Sequence, residues 1–133
     1  MNETLFIGTS ALEQVARIAQ QPAVSSITVL VDTHTARLCL PLLEQHLPIG
    51  YTLVEISAGE EFKTLATCES VWQTLTDIQA DRHALVINLG GGVVTDLGGF
   101  AAAIYKRGIR FVQVPTTLLA QVDASVGGKT ADG

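Results

Sequence analysis

The sequence predicts an α/β domain with a doubly wound, mostly parallel sheet, and three observations carry that expectation. Short β-rich runs alternate with amphipathic helical runs along the chain, the order that builds βαβ crossovers. One β-rich run, "SITVLVD", reads as continuously apolar, as strands covered on both faces are. At 133 residues, with 47% hydrophobic and 16% charged residues, the chain has the size and apolar content of one domain with a buried core.

The elements follow in order. "TLFIG" (Thr4–Gly8) reads as the first strand. "SALEQVARIAQQ" opens with Ser10 and Glu13 at capping-box spacing and aligns Leu12, Val15 and Ile18 on one face, which predicts a helix. "SITVLVD" (Ser26–Asp32) is a buried strand. "THTARLCLPLLEQHL" is helical, with Pro41 either breaking it or sitting in a first turn. "YTLVEI" (Tyr51–Ile56) is a strand and "SAGEEFK" the loop after it. "TLATCESVWQTLTDIQ" places Leu65, Cys68, Val71, Trp72, Leu75 and Ile78 on one helical face. "HALVINL" (His83–Leu89) is a strand, "VVTDLGGFAAAIY" a helix that follows three glycines directly, and "IRFVQV" a strand stopped by Pro115. "TTLLAQVDASV" reads as a short closing helix.

Composition narrows the function. A net charge of -5, without a basic run or an aromatic stacking platform, argues against nucleic acid and anionic membranes as partners. No window is apolar for the ~18 residues that a membrane helix needs. The polar "NETLF" after Met1 is unlike a signal peptide, so a cytoplasmic protein is expected. Cys39 and Cys68 lie inside apolar periodic stretches and read as buried thiols rather than a disulfide. His34, His46 and His83 show no metal-ligand spacing, and no metal site is expected.

In doubly wound sheets ligands bind beyond the carboxyl ends of the strands, and the conspicuous residues cluster there. Asp32 ends the second strand, Glu60 and Lys63 follow the third, Gly90–Gly92 follow the fourth, and Thr116 and Thr117 follow the fifth. A glycine turn opening a helix allows close approach of a pyrophosphate to free N–H groups and a positive dipole end. The spacing is not G-x-G-x-x-G, since the sixth position from Gly90 is Thr95, and glycines also serve tight strand-to-helix packing. Asp96, placed in the first turn of that helix, suits the dipole and can contact a ribose or the nicotinamide group. Asp32 reads either as a ribose acceptor or as a helix N-cap. Glu60 and Lys63 read as rim groups or as a solvated turn, and the "PTT" hydroxyls as caps or as cofactor contacts. "KRGIR" offers three cations suited to a phosphate or to plain surface charge. "GGKT" lacks the first glycine of a P-loop and follows no strand.

"GEEFK" (Gly59–Lys63) and "GGGVVTDLGGFAAAIYKRGIRFVQVPTTLLAQVDASVGGKT" (Gly90–Thr130), in that order, resemble the N-terminal domain of the 3-dehydroquinate synthases. These belong to the sugar-phosphate cyclase and polyol-dehydrogenase-like superfamily. The resemblance is dense from about Ser57 to Thr130; the first fifty residues match only in strand–helix order. It implies a Rossmann-like NAD-binding domain over residues 1–133, one half of a normally two-domain enzyme. Such enzymes convert 3-deoxy-D-arabino-heptulosonate 7-phosphate to 3-dehydroquinate and phosphate in the shikimate pathway. NAD removes and returns a hydride, and a divalent Zn or Co ion polarises substrate oxygens.

By motif position the resemblance makes Asp32, Glu60, Lys63, Gly91, Gly92, Val93, Asp96, Thr116, Thr117 and Lys129 cofactor contacts. Arg107 and Lys129 become ligands of the substrate phosphate, with Arg107 reaching across a homodimer. Asp123 becomes a partner of the substrate hydroxyls, and Asp123 and Lys129 the catalytic pair. The metal ligands belong to a helical C-terminal domain absent from this chain, which by itself is expected to be inactive. Two positions depart from the pattern: Thr95 stands where many members carry Gly, and His34 where Asn often follows the strand-end Asp. Alternative readings are another sugar-phosphate cyclase such as a 2-deoxy-scyllo-inosose synthase or a sedoheptulose 7-phosphate cyclase, a glycerol-type dehydrogenase, or a non-catalytic nucleotide-binding module.

Overall fold

The computed structural model describes residues 3–5 and 11–116. Its elements are β1 (Glu3–Leu5), α1 (Ala11–Ala19), β2 (Ile27–Asp32), α2 (Thr33–Leu38), α3 (Leu40–Glu44), β3 (Thr52–Ile56), α4 (Leu65–Asp77), β4 (Leu85–Gly90), α5 (Gly92–Ile104) and β5 (Arg110–Pro115). Short 3-10 turns occupy Glu60–Phe62 and Tyr105–Arg107. The strands form one five-stranded sheet in the order β1-β5-β4-β2-β3. Every pairing is parallel.

The period-2 alternation of strand side chains divides the core in two. Val29, Val31, Leu85, Ile87, Leu89, Val112 and Val114 face α1 and α3, where Leu12, Val15, Leu40 and Leu43 meet them. Leu30, Val54, Val86 and Phe111 face α4 and α5, against Cys68, Val71, Leu75, Leu97 and Ala101. The central strand β4 is buried throughout, whereas edge strand β3 alternates between exposed and buried. Burial raises the pKa of both Cys39 and Cys68, and both thiols are free.

Connections towards β3 carry their helices on the first face, and connections back towards β5 carry theirs on the second. All four crossovers therefore share one hand, as the right-handed rule for parallel strands demands. The direction reverses between β2 and β4, so the switch-point crevice opens between the ends of those two strands.

Pro41 does break the helical run: α2 stops at Leu38, Cys39 intervenes, and Pro41 sits in the first turn of α3. Proline has no N–H to donate, and a first turn needs none. The apolar face of α4 is narrower than expected, because Leu65 remains 62% exposed while Cys68, Val71 and Leu75 are buried. Thr64 caps that helix by accepting from Thr67 N at 3.2 Å. Trp72 Nε1 donates to Ala101 O at 3.0 Å and ties α4 to α5. The expected cap at Ser10 and the closing helix after Thr116 lie outside the described residues.

Candidate cofactor site

Gly90 leaves β4 beside Pro115 of β5, and α5 begins two residues later with Gly91 as its N-cap. A glycine cap offers no side-chain acceptor, and none bonds the first turn. The opening N–H groups of a helix have no partner within it, and the helix dipole adds roughly half a positive charge there. This end of α5 lies at the switch-point crevice.

The glycines of the turn divide by what a side chain would meet. A Cβ on Gly90 would lie 2.7 Å from Val94 Cβ, so that glycine is demanded by packing. A Cβ on Gly91 would find only Thr116 Oγ1, at 3.9 Å, and one on Gly92 would find nothing within 4 Å. Both are exposed. Packing within the described residues thus explains Gly90 and leaves Gly91 and Gly92 unexplained. A bare backbone in front of open space is what a close-approaching phosphate requires, so the turn fits the pyrophosphate of a dinucleotide.

Around this turn the structure gathers most of the residues singled out in the sequence. Asp32 ends β2 and is the N-cap of α2: its Oδ1 accepts from His34 N at 2.8 Å and Thr35 N at 2.9 Å, while Thr35 Oγ1 accepts from Asp32 N at 2.9 Å. This capping box holds the half-buried carboxylate at the crevice. Among the described residues every hydrogen bond to the carboxylate engages Oδ1, so capping does not use Oδ2. Lys63 and Asp96 meet each other, with Nζ donating to Oδ2 at 2.9 Å. The bond to Asp96 raises the Lys63 pKa, with the charges of Asp96 and then Glu60 adding to it. Asp96 is the fifth residue of α5 and so lies in the second turn, not the first, because the helix starts at Gly92 rather than Val93. Its reach is sideways to Lys63 rather than back over the helix end.

The Lys63–Asp96 pair lines a groove of about 380 Å³ whose other walls are Thr64, Leu65, Cys68, Leu97 and Phe100. Val93 is half-buried in the first turn, and Thr116 lies beside Gly91. Arg107 is elsewhere. It sits with Lys106 and Gly108 in the turn from α5 into β5, at the amino edge of the sheet, with all three at positive φ. Within one chain Arg107 is at the opposite end of the sheet from the glycine turn. Arg110 pairs with Gln21 at 2.8 Å. Thr117, Asp123 and Lys129 lie outside the described residues.

Sequence reasoning missed what lies beneath the turn. Asn88 Nδ2 donates to Gln113 Oε1 at 3.1 Å, and Gln113 Nε2 donates to Thr95 O at 3.0 Å. The two carboxamides are register neighbours on β4 and β5, on the face that α5 covers. A lone polar residue in the apolar runs "LVINL" and "FVQV" was the available signal.

The 3-dehydroquinate synthase N-terminal family model matches residues 53–132. The chain belongs to the 3-dehydroquinate synthase family. It is 45% identical over 129 residues to the 3-dehydroquinate synthase of Nitrosococcus oceani, covering 96% of this chain and 36% of that protein. The synthase of Halorhodospira halophila is also 45% identical over 129 residues, with 95% and 35% covered. Similarity to the synthases therefore extends well beyond the motif-rich segment, while the chain spans about a third of the length of the curated relatives it matches. A solved 2-epi-5-epi-valiolone synthase from Streptomyces hygroscopicus with NAD+ and Zn2+ bound superposes with a TM-score of 0.70 at 29% identity, over 93% of this chain and 35% of that one. A 2-deoxy-scyllo-inosose synthase superposes with a TM-score of 0.70 at 22% identity, over 86% and 32% respectively, a likeness of fold.

Proposed function

We propose that this chain is the NAD-binding part of a 3-dehydroquinate synthase. The observation that carries the reading is the pair of glycines, Gly91 and Gly92, whose bare backbone opens α5 at the switch point with no packing reason among the described residues to be bare. In this reading the N–H groups of Gly92 and Val93 hold the cofactor pyrophosphate. Asp32 accepts a ribose hydroxyl through Oδ2 while its Oδ1 stays committed to the cap. Lys63, Glu60 and Asp96 edge the cofactor, and Thr116 and Thr117 contribute hydroxyls. The bound cofactor accepts and returns a hydride; the protein orients it and neutralises its charge.

The whole enzyme converts 3-deoxy-D-arabino-heptulosonate 7-phosphate to 3-dehydroquinate and phosphate, and this part alone is inactive. Lys129 and Arg107 bind the substrate phosphate and Asp123 its hydroxyls. The amino-edge position of Arg107 supports its acting in a neighbouring chain of a homodimer. Among the described residues no group of three His, Cys, Asp or Glu side chains can hold a metal, and the Zn or Co ion is assigned to a C-terminal helical domain. No helix among the described residues is long and apolar enough to cross a membrane, and we place the enzyme in the cytoplasm.

Calorimetric titration with NAD, beside a Gly92→Asp variant, tests the cofactor assignment. A Cβ at Gly92 meets nothing within 4 Å among the described residues, and an acid in a first turn favours the dipole, so thermal stability should be unchanged or slightly higher. A carboxylate about 4 Å from a phosphate costs on the order of 4 kcal/mol at an effective dielectric near 20. NAD binding should therefore weaken more than about 100-fold. Equal binding by parent and variant would put the cofactor elsewhere.

A further inference from the structure

Thr95 is the fourth residue of α5, and its hydroxyl is engaged in this structure. Thr95 Oγ1 donates to Gly91 O at 3.1 Å and to Gly92 O at 3.3 Å, sharing one hydrogen between two carbonyls. Its backbone N–H also donates to Gly91 O, at 3.0 Å. Its carbonyl is held in turn from the sheet by Gln113 Nε2 at 3.0 Å, and Gln113 is itself held by Asn88 at 3.1 Å.

A hydroxyl bond to the carbonyl four residues back is a common habit of threonine in helices. Its consequence here comes from the planarity of the peptide bond. The carbonyl of Gly91 and the N–H of Gly92 belong to one rigid plane and point in opposite directions; the carbonyl of Gly92 and the N–H of Val93 belong to the next. Pulling both carbonyls towards Thr95 aims both N–H groups away from the helix body, out at the crevice. Glycine peptides otherwise reorient with little hindrance, and a donor that wanders must be ordered when the ligand binds.

We propose that Thr95 is a positioning residue for the cofactor diphosphate. Its hydroxyl pre-aims the N–H groups of Gly92 and Val93, with Gln113 bracing it from β5. The inference rests on the NAD reading above and adds to it a residue that touches neither cofactor nor substrate.

Three proteins test it: the parent chain, Thr95→Val, which removes the hydroxyl at constant shape, and Thr95→Ser, which keeps it. Each is titrated with NAD, with the amide resonances and N–H order parameters of Gly92 and Val93 followed by NMR. Thr95→Val should weaken NAD binding about three- to tenfold, the worth of one hydrogen bond. Its unfolding midpoint should barely move, and the order parameters of Gly92 and Val93 should fall without ligand. Thr95→Ser should restore both affinity and order. A Val variant that binds like the parent, or a Ser variant that loses as much as Val, would overturn the proposal. A parent in which NAD leaves the Gly92 and Val93 resonances unmoved would overturn the cofactor reading itself, and this proposal with it.

Discussion

Gly98→Ala is the substitution whose outcome the structure constrains most tightly. Gly98 lies mid-way along α5, where alanine should add roughly 1 kcal/mol by helix propensity alone. A Cβ there would instead lie 2.0 Å from Asn88 Oδ1 and 2.3 Å from Asn88 Cγ. Neither partner has room to yield: Asn88 is fully buried on the central strand and bonded to Gln113. Overpacking of this kind costs about 1–3 kcal/mol or more, leaving a net loss of about 2 kcal/mol, or roughly 7 °C in Tm for a chain of this length. Asn88→Ala alone should lose about 1 kcal/mol, since it frees the core of an acceptor with no partner but strands Gln113 Oε1. With both changes, the new methyl fits where the amide was, the helix gains its propensity term, and stability should return close to the parent. That is a coupling of about 3 kcal/mol where additivity would predict a loss of the same size. Thermal and urea unfolding followed by far-UV circular dichroism gives all four corners of the cycle. A double variant as unstable as the sum of the singles would refute the claim that Asn88 is what Gly98 makes room for.

Lys63→Met should leave the unfolding midpoint almost unchanged, since its ion pair with Asp96 is 41% and 61% exposed and such pairs contribute little. It should weaken NAD binding measured by the same calorimetry; unchanged affinity would remove Lys63 from the cofactor site. Asp81 has its pKa lowered, first by the hydrogen bond from Ser25 and then by that from the His83 N–H. The carboxylate's contribution is therefore present above the ordinary Asp value and is lost as pH falls through the lowered one. Ser25→Ala should move the Asp81 carboxyl titration upward in a carbon NMR series and start acid unfolding at a higher pH; an unmoved titration would refute the assignment of cause.

The alternation of apolar strands with amphipathic helices was legible because each element buries its own face, and β2 and β4 announce double coverage in runs with one polar interruption each, Thr28 and Asn88. Strand order was not, since parallel pairing is decided by crossovers among residues far apart in sequence. Among the glycines the limit is sharper. In sequence, "GGG" and "GG" look alike. The structure separates them: Gly90 accommodates Val94, Gly98 accommodates Asn88, and Gly99 accommodates Gln113 and Phe111. Only Gly91 and Gly92 of the five have no such neighbour closer than 3.9 Å. A glycine with a crowded Cβ position tells of the fold, as does one at positive φ such as Gly50, whereas an empty position at negative φ leaves room for something that approaches from outside. Gly98 and Gly99 bring α5 down onto the carboxamides of β4 and β5; Gln113 then reaches Thr95, and Thr95 reaches the carbonyls of Gly91 and Gly92. The packing glycines thus set the depth of the helix whose open glycines face the crevice, which makes a substitution at Gly98 a perturbation of the proposed cofactor site from less than about two turns away.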